Sequence, residues 1–411
     1  MSVFNINLHE AIYSLSDALD LVGVTHIHHG KRVAYMATEC GKYLGWHGAR
    51  LDDLFQAAIL HDCGVSKTAV HLRLAQFAWE LESEHCKAGA ALLNSCHLLS
   101  HLAPVVLHHH THWSELQDLD LPLQEKLNAN CIYLADRVDI LSLKYFLEDT
   151  DILLGKDEIR STILEKRGDW FHPEFVDAFM ALSESEAFWF SLETNRVNGY
   201  VATWLAETTP QGMAFEELRG LVHLFSCIVD AKSHYTQQHS VGVAHLARYI
   251  GTLHGLSEET CEMLELAGLL HDIGKLRVPD ELLEKPGSLT AAENIIMRHH
   301  SFDTYSILRS IKGFEKVALW AAQHHERVNG SGYPYHIKGE NLSLEARIIA
   351  IADVFQALAQ RRPYREPLNT AQIMDILKQQ VAAGKLDPHV VAVVDANLQA
   401  CWLAAMQMTA S

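Results

Sequence analysis

The chain has 411 residues, of which 48% are hydrophobic and 20% charged, and its formal net charge is -18. This length suits two domains that each bury a core, and the composition is that of an ordinary globular protein. The acidic balance argues against DNA or RNA as a partner, because binding to a nucleic-acid polymer needs a basic surface. We find no apolar run long enough for membrane insertion and no signal peptide. Eight scattered cysteines without a CxxC pair indicate a reducing, cytoplasmic location.

The pattern of apolar residues is helical along almost the whole chain. The segments Leu54–Leu60 and Met263–Leu270 carry apolar residues at i, i+3 and i+4 spacing. Each segment runs into a His-Asp pair and ends at a glycine, Gly64 or Gly274, as a helix C-terminus should. No segment shows sustained strand alternation bounded by hairpin turns. The sequence therefore predicts an all-α fold.

The chain also contains an internal repeat whose two copies end alike. Residues 171–176 read FHPEFV, and residues 386–391 read LDPHVV. The first copy is therefore predicted to close near Leu182.

The link between the copies is predicted to be helical. A connecting helix is predicted over Glu186–Ala206, followed by a short break at residues 208–212 that contains proline and glycine. The second copy is then predicted to begin near Phe215. We predict two domains, residues 1–205 and residues 206–411.

The same types of ionisable residue recur in the same order in both copies. The first copy has His29, His61, Asp62, His85, His109, His110 and Asp136, and the second has His239, His271, Asp272, His300, His324, His325 and Asp353. In both copies the first histidine precedes the His-Asp pair by 32 residues, and the lone histidine precedes the His-His pair by 24 residues. Chance rarely produces such a repeat, so the pattern predicts a duplicated metal-binding domain.

The residue types indicate which chemistry such a site would support. Imidazoles and carboxylates from several helices can converge in the core of a helical bundle. Adjacent helical histidines such as His324 and His325 point about 100° apart, which favours two neighbouring ions over one. An aspartate beside a histidine, such as Asp272, could bridge two ions through its two oxygens. The pattern is typical of two-metal phosphoryl hydrolysis, and nitrogen and oxygen ligands suit iron, manganese or zinc.

Further motifs follow in order in the second copy. It reads HDIGK from His271, KPG from Lys285, HHERVNGSGYP from His324 and RPYR from Arg362. Over about residues 215–394 these motifs resemble those of the HD-GYP phosphodiesterases, which hydrolyse cyclic dinucleotides.

The resemblance implies two tandem helical bundles of the HD superfamily, with a bi- or trinuclear metal site in the second. The implied metal ligands are His239, His271, Asp272, His300, His324, His325 and Asp353. Asp272 and Lys275 would be catalytic, with Lys275 holding a phosphate oxygen or protonating the leaving oxygen. Tyr333, Arg362 and Arg365 would contact the substrate. Alternatively, the lysine and the arginines are solvated cations, and the Gly-Tyr-Pro loop is a bare turn.

Two positions depart from the family pattern. Members with three metal ions carry a carboxylate four residues before the first histidine, where this chain has Tyr235. We therefore favour two divalent ions, iron or manganese, with zinc or nickel as alternatives. Gln356 stands where the family often has aspartate, which moves the role of proton donor to Lys275 or to water.

The first copy resembles a diverged HD domain that has lost its substrate residues. Val65 stands at the lysine position, Tyr145 and Glu148 stand at the arginine positions, and no Gly-Tyr-Pro loop follows His110. The first copy is therefore predicted to be regulatory, with a second metal site that could persist without hydrolysis.

The leading interpretation is a metal-dependent phosphodiesterase. It would open cyclic di-GMP or 3'3'-cyclic GMP-AMP to a linear dinucleotide or to mononucleotides, and a homodimer is compatible with this function. The alternative is a non-catalytic receptor that binds the dinucleotide and signals through the first domain. A third interpretation, for the first domain alone, is a di-iron centre that reacts with oxygen.

Overall fold

The structure, a computed structural model, describes residues 2–22, 28–65, 84–148, 150–232, 239–360 and 366–407. The chain forms two compact units. We call Asn7–Pro210 the N-terminal unit, and Met1–Ile6 together with Gln211–Ser411 the C-terminal unit. The described residues of both units are mostly helical, which confirms the predicted all-α fold.

Helices account for most of each unit. In the N-terminal unit the α-helices are Leu8–Leu19, His29–Tyr43, Ala49–Leu60, Glu84–Asn94, Ala103–His108, Trp113–Leu116, Leu123–Leu147, Lys156–Glu165, Pro173–Leu182, Glu186–Phe190 and Thr194–Ala206, and the 3-10 helices are Ser100–Leu102 and Ile152–Gly155. In the C-terminal unit the α-helices are Phe215–Lys232, His239–Leu253, Glu258–Leu270, Asp280–Leu283, Ala291–Leu308, Glu315–Ala322, Leu344–Ala359, Thr370–Ala382, Pro388–Ala396 and Leu398–Ala405, and the 3-10 helices are Ile273–Arg277 and Gly339–Asn341.

A two-stranded antiparallel sheet joins the start of the chain to the C-terminal unit. Val3–Ile6 pairs with Gln211–Ala214, and Val3 lies opposite Ala214. Phe4 and Ile6 are buried on one face of this sheet. These strands are a small exception within the confirmed all-α fold. Two four-residue strands that are distant in the sequence give too short an alternation to be recognised from one segment alone.

The predicted connecting helix is interrupted. The structure has two helices, Glu186–Phe190 and Thr194–Ala206, in place of one continuous helix over Glu186–Ala206. The predicted break at residues 208–212 leads directly into the strand Gln211–Ala214.

The helix that precedes the second His-Asp pair lies in the centre of its unit. Every residue from Cys261 to Leu270 is buried, so this segment of Glu258–Leu270 is enclosed on all sides. Glu265 is buried there because Arg219 and Arg248 each hold one of its oxygens, at 2.5 Å and 2.6 Å. Because this helix is central, the His-Asp pair at its end lies in the interior of the bundle.

Gly64 and Gly274 follow the two His-Asp pairs for a reason other than helix capping. Neither glycine has the left-handed conformation of a capping glycine. A Cβ at Gly274 would lie 2.1 Å from the carbonyl oxygen of His300, and one at Gly64 would lie 2.1 Å from that of His85. Glycine therefore allows the His-Asp turn to lie directly against the helix that carries the lone histidine.

Replacing Gly274 with alanine should consequently destabilise the protein. We expect Gly274→Ala to lower the free energy of unfolding by about 1–3 kcal/mol or more, because backbone atoms must move. Gly220 is a matched control in the helix Phe215–Lys232, since a Cβ there would meet nothing within 4 Å. Gly220→Ala should stabilise the protein by about 0.5–1 kcal/mol. Thermal and urea unfolding measure both, and a Gly274→Ala variant as stable as the control would contradict the close-approach argument.

No helix in the described parts of the chain is both long enough and apolar enough to cross a membrane.

Candidate metal centres and active site

Two groups of metal-ligand atoms meet in the C-terminal unit. We call His239, His271 and Asp353 the first donor group, and His300, His324 and His325 the second donor group. Within each group the ligand atoms lie within 4.8 Å of one another. The structure thus brings together residues from three helices and from the turns that follow two further helices.

Asp272 lies between the two donor groups. Its Oδ2 atom is 3.2 Å from Nε2 of His271 and 3.9 Å from Nε2 of His239. Its Oδ1 atom is 3.7 Å from Nε2 of His300 and 3.8 Å from Nε2 of His324. Each carboxylate oxygen therefore faces a different donor group, which is the arrangement that a bridging ligand needs.

His324 and His325 belong to one donor group, although the sequence predicts that they serve two neighbouring ions. Their ring centroids lie 4.0 Å apart, and both side chains join His300 in the second donor group. The helix Glu315–Ala322 ends before them, and both histidines lie in the turn that follows. The angular offset of adjacent helical residues therefore does not apply to this pair.

The histidines are held in an orientation suitable for metal binding. Their Nδ1 atoms contact the carbonyl oxygens of Gly268 for His271, Met297 for His300 and Ala321 for His324, at 2.5–2.8 Å. A carbonyl can only accept, so Nδ1 carries the proton and the Nε2 lone pair points to the centre. Nε2 of His271 and Oδ1 of Asp272 are buried without a hydrogen bond among the described residues. These lone pairs fit divalent metal ions.

Electrostatics in the C-terminal unit also suit metal binding. Burial acts to raise the pKa of Asp272, but His271 and Lys275 outweigh it and hold this pKa well below its usual value. Burial acts to lower the pKa of His271, but Asp272 outweighs it and raises this pKa, so a bound metal ion would displace the His271 proton. Burial lowers the pKa of His324 and His325 well below that of a free histidine. Charged carboxylates and neutral imidazoles are the forms that bind metals.

Gln356 orients a proposed ligand, a role that the sequence did not reveal. Nδ1 of His239 donates to Oε1 of Gln356 at 2.5 Å. In the N-terminal unit the equivalent residue is Asp139, and Nδ1 of His29 contacts its Oδ2 at 2.7 Å. Gln356 thus orients His239 in the C-terminal unit, as Asp139 orients His29 in the N-terminal unit.

His239 and His29, the first histidines of the two copies, differ in pKa because one faces Gln356 and the other faces Asp139. Burial lowers the pKa of His239. Burial acts in the same direction on His29, but Asp136 and Asp139 outweigh it and raise its pKa to about 10.

Lys275 and Tyr333 border the centre, as the resemblance implies. Nζ of Lys275 is 2.5 Å from Oδ2 of Asp272. The ring of Tyr333 lies 4.7 Å from that of His325, and the Arg298 guanidinium lies 5.1 Å from the Tyr333 ring centre. Arg298 belongs to none of the motifs, so no sequence signal indicated it. Arg362, Arg365 and Tyr235 lie outside the described residues.

Glu326 anchors the loop that carries Tyr333. Its two buried carboxylate oxygens accept three backbone N–H groups, from Tyr335 at 2.7 Å, His336 at 3.1 Å and Ile337 at 3.0 Å. A Cβ at Gly332 would lie 2.4 Å from Cα of Glu326, so the loop also depends on glycine at that position. The only sequence signal for Glu326 was its place directly after the histidine pair.

A neutral side chain should hold this loop less well. In Glu326→Gln the amide NH2 would face backbone donors, and we expect the free energy of unfolding to fall by about 1–3 kcal/mol. Glu340 is a matched control, because it is an exposed glutamate soon after the same loop. Glu340→Gln should change stability by less than about 0.5 kcal/mol. Chemical denaturation of the two variants checks this, and equal stabilities would show that Glu326 does not anchor the loop.

The N-terminal unit repeats the arrangement around Asp62. Its Oδ2 atom is 3.6 Å from Nε2 of His61 and 3.7 Å from Nε2 of His29. Its Oδ1 atom is 3.6 Å from Nε2 of His85 and 3.8 Å from Nε2 of His109. The structure therefore brings these predicted ligands of the first copy together as it does those of the second.

Asp136 completes the N-terminal cluster but is shared with an arginine. Its Oδ1 atom is 3.3 Å from Nε2 of His29, and its Oδ2 atom is 3.6 Å from Nε2 of His110. Buried Arg137 donates to the same Oδ2 atom through Nε at 2.9 Å and a terminal nitrogen at 2.7 Å. The C-terminal unit has Val354 at the equivalent position, so this buried cation is specific to the N-terminal unit.

The positions of the missing substrate residues are occupied by groups that would not bind phosphate. Val65 is buried, and Glu148 carries a negative charge. The Tyr145 hydroxyl donates to Oε2 of Glu158 at 3.2 Å.

Comparison with known proteins identifies the family. Residues 27–141 and 223–390 each match a family model described as an HD domain. The chain is 37% identical over 402 residues to 3'3'-cGAMP-specific phosphodiesterase 1 of Vibrio cholerae serotype O1, which covers 96% of this chain and 93% of the relative. It is 47% identical over 126 residues to a cyclic di-GMP phosphodiesterase response regulator of Xanthomonas campestris, which covers 30% of this chain and 33% of that protein.

A solved structure agrees along nearly the whole chain. The crystal structure of a cyclic GMP-AMP specific phosphodiesterase from V. cholerae superimposes with a TM-score of 0.66 and 26% sequence identity, covering 97% of this chain and 98% of that one. The fold and the two histidine–aspartate clusters define a protein with two HD domains, a class of metal-dependent hydrolases. Within that class the chain belongs to the phosphodiesterases that combine an N-terminal HD domain with a C-terminal HD-GYP domain. The family predicted from the sequence is confirmed.

Proposed function

We propose that the C-terminal unit hydrolyses 3'3'-cyclic GMP-AMP at a centre of two divalent metal ions. The observation that carries this proposal is the position of Asp272, whose two oxygens face two separate donor groups. The choice of substrate is supported by the 3'3'-cGAMP-specific relative, which aligns with 96% of this chain. Cyclic di-GMP is the second candidate, because the relative from X. campestris is 47% identical over its shorter match.

Each donor group would hold one ion, with Asp272 shared between the two. Imidazole and carboxylate ligands suit iron or manganese, with zinc or nickel as alternatives. Bound ions would activate water and neutralise negative charge on the phosphoryl group.

The protein contributes its own cation beside this centre. The Lys275 ammonium contacts Oδ2 of Asp272, so it can reach a phosphate oxygen placed against the same edge. We propose that it donates a hydrogen bond to that oxygen or a proton to the leaving oxygen. Burial raises the pKa of Tyr333, so its phenol stays protonated near neutral pH and can donate to the substrate. Arg298, which lies over the Tyr333 ring, would add positive charge at the rim.

Removing the Lys275 charge should slow the chemical step and leave the metal ions bound. We expect Lys275→Met to lower kcat by roughly 10²-fold, as loss of one stabilising donor commonly does. Arg277 is a matched control on the same 3-10 helix, where it contacts Asp303 at 3.2 Å. Arg277→Met should keep kcat close to that of the wild type. Steady-state kinetics together with metal analysis test this, and a Lys275→Met enzyme with unchanged kcat would exclude the proposed role.

We propose that the N-terminal unit regulates the enzyme and does not hydrolyse dinucleotides itself. It keeps the bridging geometry of Asp62 but has Val65 in place of the lysine. It also has the buried cation Arg137 next to Asp136. The protein's share of transition-state charge stabilisation is therefore missing from this unit.

Purified full-length protein, loaded with manganese or iron without oxygen, tests the function directly. Chromatography should show 3'3'-cyclic GMP-AMP disappearing faster than cyclic di-GMP. Turnover of cyclic di-GMP alone would overturn the choice of substrate. Binding of either dinucleotide without turnover would favour the receptor alternative instead.

The two bridging aspartates provide a matched pair of variants. Asp272→Ala should lose both metal and hydrolysis, whereas Asp62→Ala should keep hydrolysis, with a rate that differs if the N-terminal unit is regulatory. Wild-type turnover by Asp272→Ala would refute the assignment of the site. Loss of turnover in a folded Asp62→Ala protein would refute the division of labour between the units.

A further inference from the structure

A cysteine replaces a serine at one position of the duplicated clusters. Cys86 follows the lone histidine His85 as Ser301 follows His300. The Ser301 hydroxyl lies 3.3 Å from Nε2 of His300, and Sγ of Cys86 lies 3.4 Å from Nε2 of His85. The N-terminal unit therefore presents a thiol to its cluster where the C-terminal unit presents a hydroxyl.

Three donor atoms at this thiol lie close enough to share one ion, because the ligand atoms of His85, Cys86 and His109 all lie within 4.8 Å of one another. Sγ of Cys86 is 4.0 Å from Nε2 of His109, in addition to its 3.4 Å contact with His85. Oδ1 of Asp62 is 3.6 Å from the His85 nitrogen and 3.8 Å from the His109 nitrogen. In a tetrahedral zinc site, bonds of about 2.0–2.3 Å place neighbouring donors about 3.3–3.6 Å apart. His85 and Cys86 are adjacent on the helix Glu84–Asn94, but their donor atoms converge to 3.4 Å, so small shifts would enclose an ion.

The burial and the negative charge around these donor atoms also favour binding of a cation. Cys86 is 1% exposed, His85 is 3% exposed and His109 is 0% exposed. Oδ1 of Asp62 is buried and has no hydrogen bond from any described residue. Burial of a carboxylate oxygen without a donor is costly, and binding of a cation offsets that cost.

Neighbouring residues show that this placement is particular to Cys86. Cys63 is also buried and directly follows Asp62, but its thiol lies 3.8 Å from the carbonyl oxygen of Gly89. His110, the counterpart of His325, lies 3.6 Å from Oδ2 of Asp136.

We propose that His85, Cys86 and His109 form a site for a thiophilic divalent ion of the zinc class, with Oδ1 of Asp62 facing the two histidine nitrogens. Thiolate ligands favour zinc over manganese or magnesium, and ligation releases the thiol proton to solvent. A tetrahedral ion takes four ligands, so the fourth position would be taken by Asp62 or by water. This proposal does not depend on the function proposed for the C-terminal unit.

Cobalt substitution of the full-length protein tests the site by its spectrum. A thiolate bound to Co²⁺ gives a charge-transfer band in the near ultraviolet, whereas imidazole and carboxylate ligands do not. The donor groups of the C-terminal unit contain only imidazoles and carboxylates, so the band would report on the N-terminal unit. We expect the wild type to show the band with an intensity that corresponds to one thiolate per chain.

Two cysteine variants make the test specific. Cys86→Ser introduces the residue that Ser301 provides in the other unit, and it should reduce the band at least tenfold. Cys63→Ser is the matched control and should keep the band. His109→Ala leaves the Cys86 thiol in place but should also lose the band, which provides a second test if Cys86→Ser folds poorly. A wild-type protein without the band, or a band that survives in Cys86→Ser, would overturn the proposal.

Discussion

Each His-Asp turn lies very close to the helix that carries the lone histidine, and this contact determines the geometry of both histidine–aspartate clusters. At Gly274 the distance from a would-be Cβ to the His300 carbonyl oxygen is only 2.1 Å, so any larger residue would separate the two elements. The amide of Gly274 donates to the Thr304 hydroxyl, which in turn donates to the carbonyl oxygen of His271, each at 3.1 Å. This contact holds one oxygen of Asp272 toward the second donor group while the other faces the first.

The two units share this close backbone contact but differ in the side chains near the first histidine of each cluster. In the N-terminal unit Arg32 forms an ion pair with Asp139, with a contact of 2.9 Å between its terminal nitrogen and Oδ2. The C-terminal unit has Gly242 and Gln356 at these positions, and a Cβ at Gly242 would lie 2.8 Å from the glutamine side chain. The glutamine at position 356 therefore requires a glycine at position 242, because any side chain there would collide with it. The pair Arg32 and Asp139 in one unit corresponds to the pair Gly242 and Gln356 in the other.

The sequence predicted the helical fold, the duplication and the set of converging ligands, because these depend on residue order and spacing. It failed where the outcome depends on a neighbour that is distant in the sequence. The strand Val3–Ile6 exists only through pairing with Gln211–Ala214. The positioning role of Gln356 depends on which histidine faces it. The joint placement of His324 and His325 depends on where the preceding helix ends, which periodicity locates poorly.

The charge balance differs between the two histidine–aspartate clusters. In the N-terminal unit buried Arg137 and Arg32 neutralise Asp136 and Asp139, so part of the carboxylate charge is balanced by the protein itself. In the C-terminal unit Val354, Gly242 and Gln356 replace two cations and one anion of this set, so the buried residues carry one positive charge fewer. Neither aspartate position is then paired with a guanidinium from these positions. In the C-terminal unit the Lys275 ammonium contacts Asp272, and a cation at this carboxylate lies where the negative charge of a phosphoryl substrate would be stabilised.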